Sequence, residues 1–154
     1  MKEALDNAII ELKRVDHLFY VSLKYTRTAD MMKHVIERII NSFSYGIESL
    51  LKHAMENKKI ASLPENPALR CKLLLETTQD PDIKNFIGFY LRLRKINRAD
   101  FTKREEFRRH VTMTVAIDNG EIVEVNIDIL KEYYERTKDF VSYVRRIVHG
   151  EEEA

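Results

Sequence analysis

The chain has little of what staples or equips many small proteins. Its 154 residues include one cysteine, no tryptophan, four glycines and three prolines. A single thiol excludes an internal disulfide, so apolar burial must hold the fold, and a chain of this length suffices for one core. Scarce glycine and proline, with 44% apolar residues, exclude a disordered or collagen-like chain. Nowhere do eighteen apolar residues run together, and the opening "MKEALDNAII" carries charges among its apolar residues. Neither a membrane span nor a secretory leader is therefore expected, and the expected compartment is cytoplasmic. Charge of one sign is missing too: 26 Lys and Arg face 25 Asp and Glu, for a net +1. That balance excludes a surface that is basic all over, and any nucleic-acid patch must be local.

Ready-made chemistry is equally scarce. Five histidines without a His-x3-His pair, together with one cysteine, form no zinc signature, and no phosphate-binding glycine loop or G-x-S-x-G elbow occurs. No metal and no cofactor is expected, and His17, His34 and His53 read as lone surface or boundary residues. Cys71, flanked by Leu69, Leu73 and Leu74, reads as a buried, inert thiol.

What the chain does have is helical periodicity. Leu5, Ile9, Leu12, Val15, Phe19 and Leu23 recur on one face over residues 2 to 25. Thr28 with Asp30 behind it starts a second helix over about 29 to 58, antiparallel to the first. In it Ser42, Gly46 and Ser49 form a line of small side chains where another helix can approach, in the same or a second subunit. Asn66 before Pro67 and Asp80 before Pro81 are each an N-cap followed by proline, opening two more helices. Thr102 with Glu105 is a capping-box pattern that predicts one or two helical turns. From Val111 the period changes, and "VTMTVAIDNGEIVEVNI" centres a β-hairpin on Asn119 and Gly120. A two-residue turn there pairs Ile117 with Ile122, Val115 with Glu124 and Thr114 with Val125, leaving apolar residues on both faces. A last helix over about 128 to 149 precedes the acidic tail 151 to 154. The expectation is a mainly α fold: one domain over 1 to 150, an up-and-down bundle of four to five helices with a late hairpin at about 111 to 127. The small-residue line and the two-faced hairpin predict a homodimer through Ser42, Gly46 and Ser49.

Two places could carry function. The stretch "LRLRKINRADFTKREEFRRH", 91 to 110, sets eight Lys and Arg against three acids, a local +5. Arg94 with Arg98 and Arg104 with Arg108 share faces if helical, Arg109 adds a charge, and Phe101 and Phe107 interleave. Such a strip suits phosphate contact, and the bland reading is a solvated face paired with nearby acids. The second place is "VRRIVHG", 144 to 150. Arg145 and His149 are four apart on a helix, with Arg146 beside them, so a guanidinium and an imidazole could grip a phosphate and move a proton. The same residues also make an ordinary helix end, with basic side chains in the last turn and glycine beyond it.

"VRRIVHG" at the end of an amphipathic helix resembles the motif region of HEPN domains, whose pattern is an Arg, four to six residues, then His. His149 matches the histidine. Val144 stands where the nearest allowed arginine belongs, with Arg145 and Arg146 as possible replacements, while Arg27 with His34 and Arg104 with His110 also fit the spacing. The resemblance implies a helical bundle, commonly dimeric, in a family with many metal-independent ribonucleases. The resulting expectation is a binding module for RNA or a nucleotide, with the nuclease motif broken. The alternatives are an adaptor acting through dimerisation and protein contacts, and a ribonuclease using His149 with Arg145 or Arg146.

Overall fold

The computed structural model describes residues 1–150, so the acidic tail lies outside the described residues. It shows the expected mainly α fold with a small sheet late in the chain. Helix α1 (Lys2–His17) continues through a π-helical turn (Leu18–Ser22) into a last turn, α2 (Leu23–Tyr25). Thr28 then caps α3 (Ala29–Glu56), its hydroxyl accepting from the Met31 N–H at 3.1 Å. Asn66 caps α4 (Pro67–Thr77) and Asp80 caps α5 (Pro81–Arg98), each side chain accepting from first-turn N–H groups just after the proline, which has no N–H of its own to satisfy. After the strands comes α6 (Ile127–His149), capped by Asn126.

Helix α3 is the axis of the bundle, packed by α1, α6, α4 and α5. Its small residues are what let the neighbours close in. The Ser42 hydroxyl donates to the Ala8 carbonyl at 2.9 Å and Ser49 to the Met1 carbonyl at 2.7 Å, both on the α1 side. Gly46 faces the Phe140 ring of α6, where a Cβ would meet Cε2 at 2.5 Å. All three are buried within the chain itself, so the expected subunit interface at Ser42, Gly46 and Ser49 is corrected to internal packing. Phe140 cannot give way cheaply, being stacked on Phe43 at 4.4 Å between centroids with Phe86 against it at 5.1 Å. Gly46→Ala is therefore expected to destabilise by about 1–2 kcal/mol despite alanine's better helix propensity. A chemical-denaturation midpoint at or above that of the parent would contradict this packing.

The strands correct two further expectations. Residues 102 to 104 belong to strand β1 (Phe101–Arg104), not to a helical turn, and pair antiparallel with β2 (Thr112–Ile117). The capping-box pattern loses because the edge of β2 offers the same backbone a complete ladder, whereas no apolar helical run follows Glu105. Strand β3 (Glu121–Val125) pairs with β2 one residue out of the expected register: Ile117 faces Glu121, Val115 faces Val123 and Met113 faces Val125. The turn holds three residues, Asp118, Asn119 and Gly120, all at positive φ, and the Glu121 N–H closes it on the Asp118 carbonyl at 3.1 Å. A one-residue shift exchanges faces. Met113, Val115, Ile117, Val123 and Val125 thus share one buried face, which packs on the helices. Both observations that suggested a dimer are satisfied inside one chain.

Cys71 is buried on α4 at 2% exposure, and burial pushes its thiol up to about 11. A thiol pKa raised above its ordinary 9.0 contributes stability below pH 9.0 that is lost as pH rises towards about 11. Below that window the thiol is expected to resist a disulfide reagent in the folded chain and to react at the rate of unfolding. Immediate stoichiometric labelling would contradict it.

Among the described residues no helix is long and apolar enough to cross a membrane.

Candidate nucleic-acid interface

The two basic places lie at opposite ends of α6. At its C-terminal end the Tyr143 hydroxyl donates to the Asp80 carboxylate at 2.6 Å, tying α6 to the start of α5. At its N-terminal end Asn126, Ile127 and Asp128 wall a cavity together with Arg104, Glu105, Arg109 and His110. The 23 residues between, at about 1.5 Å each, separate the ends by roughly 35 Å. Arg104, Arg108 and Arg109 therefore do not share one grip with Arg145, Arg146 and His149.

At the C-terminal end, Val144 is in the core with 0% exposure, one residue before the exposed Arg145 and Arg146. An arginine's reach to substrate is denied at that position by packing. Arg146 lies over the Tyr143 ring at 5.9 Å. The hydrogen bond from Tyr143 holds the Asp80 carboxyl below the usual carboxylate range, and burial with that same contact pushes the phenol up. A cavity of about 710 Å³ beside Arg145 and Arg146 is shared by Asp82 and Asp139. His149 is half-buried in the last turn of α6.

The 91 to 110 stretch is not one surface either. Arg92 pairs with Glu121 at 2.6 Å, Lys95 with Asp118 at 2.8 Å and Arg104 with Glu124 at 2.8 Å, so the hairpin's acids neutralise much of the strip. These hydrogen bonds lower the carboxyl pKa of Glu121 and Glu124. Arg94 is half-buried against Tyr90, its guanidinium 5.8 Å from the ring, while Arg98 is exposed in the last turn of α5, just before β1. Arg104 and Arg108 share no helical face, because one is on a strand and the other in a loop.

That loop is the unusual element. Between β1 and β2 the chain turns through Glu105 and Phe107, both at positive φ, 57° and 66°. It is clipped to the start of α3: the Phe107 N–H donates to the Arg27 carbonyl at 2.6 Å, and the Glu106 carboxylate accepts from the Ala29 N–H at 3.1 Å. Lys103 pairs with the same carboxylate at 3.3 Å, and two further backbone bonds, Arg108 to Glu105 and Val111 to Arg108, close the turn. Held this way, the Phe107 side chain stands 74% exposed, with Arg108, Arg109 and His110 exposed behind it. A bulky residue at positive φ costs roughly 1–2 kcal/mol, and exposing its ring forfeits the usual benefit of burial. Sequence reasoning noted Phe107 only as interleaved with arginines. The missed signal was that Phe107 has only charged residues and a histidine within three positions on either side, in "REEFRRH".

Comparison of the chain with protein-family models, with curated protein sequences and with solved structures finds no match. The resemblance to HEPN domains rests on "VRRIVHG" itself.

Proposed function

We propose that the chain is a HEPN-like module that binds single-stranded RNA on the 104 to 110 loop, without nuclease chemistry. The observation that carries this reading is Phe107, an aromatic ring displayed to solvent on a strained but firmly clipped backbone among arginines. Strain of this kind concentrates at functional sites. An exposed ring is a sequence-tolerant stacking platform for a base, and flanking guanidiniums supply phosphate contacts. Arg108, its side chain 77% exposed and held to the Glu105 carboxylate by no more than a long 3.7 Å pair, and Arg109 reach backbone phosphates on either side of the stacked base. Arg98 extends that path towards α5, and Arg104 joins it by exchanging its exposed partner Glu124 for a phosphate. The clipped backbone means little ordering remains to be done on binding. Nuclease chemistry is left out because the motif position held by Val144 is inside the core.

The test is the affinity of a fluorescein-labelled single-stranded RNA, followed by anisotropy as potassium chloride is raised. Affinity is expected to fall with salt, and Arg108→Ala with Arg109→Ala to flatten the slope of log K against log salt by about 1.4, at about 0.7 per phosphate contact. The RNA should be recovered intact. No salt-dependent binding, with a specific protein co-purifying instead, would favour the adaptor reading.

A further inference from the structure

A third cavity, remote from the loop, lies where α3, α4 and α6 end together. It encloses about 500 Å³, within the range of small-ligand sites. Leu50, Leu74, Ile83 and Ile147 give it apolar walls from four helices, and Thr77 and Thr78 add hydroxyls. Its charged walls are Lys59 and Arg146, and no Asp or Glu is among the described residues that line it. This is the reverse of its neighbour, where Asp82 and Asp139 sit beside the arginines.

Lys59 is there because of how α3 stops. Lys58 takes a left-handed conformation at φ 59°, its N–H bonding the Met55 carbonyl, and the Lys59 N–H reaches back to Ala54 at 2.9 Å. That double closure folds the chain over the helix end and places Lys59 at the cavity that Arg146 also lines. It also occupies carbonyls that would otherwise repel an anion. The Thr78 N–H does the same for Leu74 at the end of α4, and the Thr77 hydroxyl for Leu73. Lys59 and Arg146 are the full charges among the described residues lining the cavity, set against the partial negative charge of the helix ends, and Arg146 also borders the neighbouring cavity. His53 adds a polar atom that needs a partner: Nε2 is 3.1 Å from the Asn57 amide nitrogen, and Nδ1 is buried with no hydrogen bond.

We infer that this cavity is a binding site for a small amphipathic organic anion, its apolar body against Leu50, Leu74 and Ile83 and its anionic group between Lys59 and Arg146. The inference is independent of RNA binding at the loop. It goes beyond the sequence reading, which took His53 as a lone boundary residue and assigned Lys59 nothing.

The experiment titrates the full chain, with its methyl groups labelled for NMR, against 4-phenylbutyrate and against its uncharged analogue 4-phenylbutanol. Saturable shifts are expected at the methyls of Leu74, Ile83 and Ile147, with the carboxylate bound roughly tenfold more tightly than the alcohol. Lys59→Gln and Arg146→Gln should each remove most of that preference and leave the alcohol's affinity as it was. Lys59→Gln should also leave RNA affinity unchanged, which separates this site from the loop. Equal affinity for acid and alcohol, an acid preference that survives both substitutions, or shifts that fail to saturate or fall elsewhere would each overturn the inference.

Discussion

Replacing Phe107 by glycine is expected to leave the fold as stable as before or more stable by up to about 1 kcal/mol, while weakening single-stranded RNA binding roughly tenfold to a hundredfold. The first half follows from the backbone. At φ 66° an L side chain costs roughly 1–2 kcal/mol that glycine does not, and glycine's greater freedom in the unfolded chain takes back only part of the gain. Little burial is lost, because Phe107 is 74% exposed and lies outside the hydrophobic core. The Phe107 N–H bond to Arg27 is backbone and survives the substitution. The second half follows from the ring: stacking one base on an aromatic side chain contributes about 1–3 kcal/mol. Opposite signs for stability and binding distinguish this site from an ordinary structural phenylalanine, whose removal lowers both. A denaturation midpoint paired with an anisotropy titration checks it, and a fall in stability with unchanged affinity would contradict it.

The other large effect concerns the broken motif. Writing the arginine back, Val144→Arg, is expected to cost about 4 kcal/mol or more rather than to create a ribonuclease. Val144 is fully enclosed in the core that also holds Phe140 and Val148, so a guanidinium there is buried without a partner. At this chain length that cost lowers the melting temperature by roughly 10 °C or more. Thermal unfolding with an RNA-integrity assay checks both parts. A stable variant that cuts RNA in metal-free buffer would show that position 144 can face substrate after all.

How much of this was legible in the sequence depended on whether the deciding interaction was local. The caps at Thr28, Asn66 and Asp80 and the apolar stripes of the helices are short-range chemistry, and the helices stand where that chemistry puts them. The hairpin's existence was legible from Asn119 and Gly120, but its register was not. Asp118 joins the turn at positive φ, and the shift that places Val115 opposite Val123 is selected by burial of a single apolar face on the helices. Strand β1 was hidden because Thr102 and Glu105 imitate a helix start, and only the unpaired edge of β2 reveals the competing ladder. For the small residues, spacing revealed close approach at Gly46 but not what approaches, which is Phe140 from almost a hundred residues further along.

The candidate site divided in the same way. Composition located the basic stretch, yet which of its charges are neutralised depends on the hairpin's Asp118, Glu121 and Glu124, distant in sequence. That the two basic clusters lie at opposite ends of α6 is a property of the bundle, and no spacing rule contains it. The exposure of Phe107 follows from the clip to Arg27 and Ala29, again a long-range contact.

The central claim is that RNA contacts the loop and not the end of α6. An amide-resolved NMR titration of the full chain with a single-stranded RNA oligomer tests it most directly. The account predicts saturable shifts at Arg104 to His110, with the amides of Arg145 to Gly150 unmoved. Shifts confined to Arg145, Arg146 and His149, with the loop silent, would contradict it.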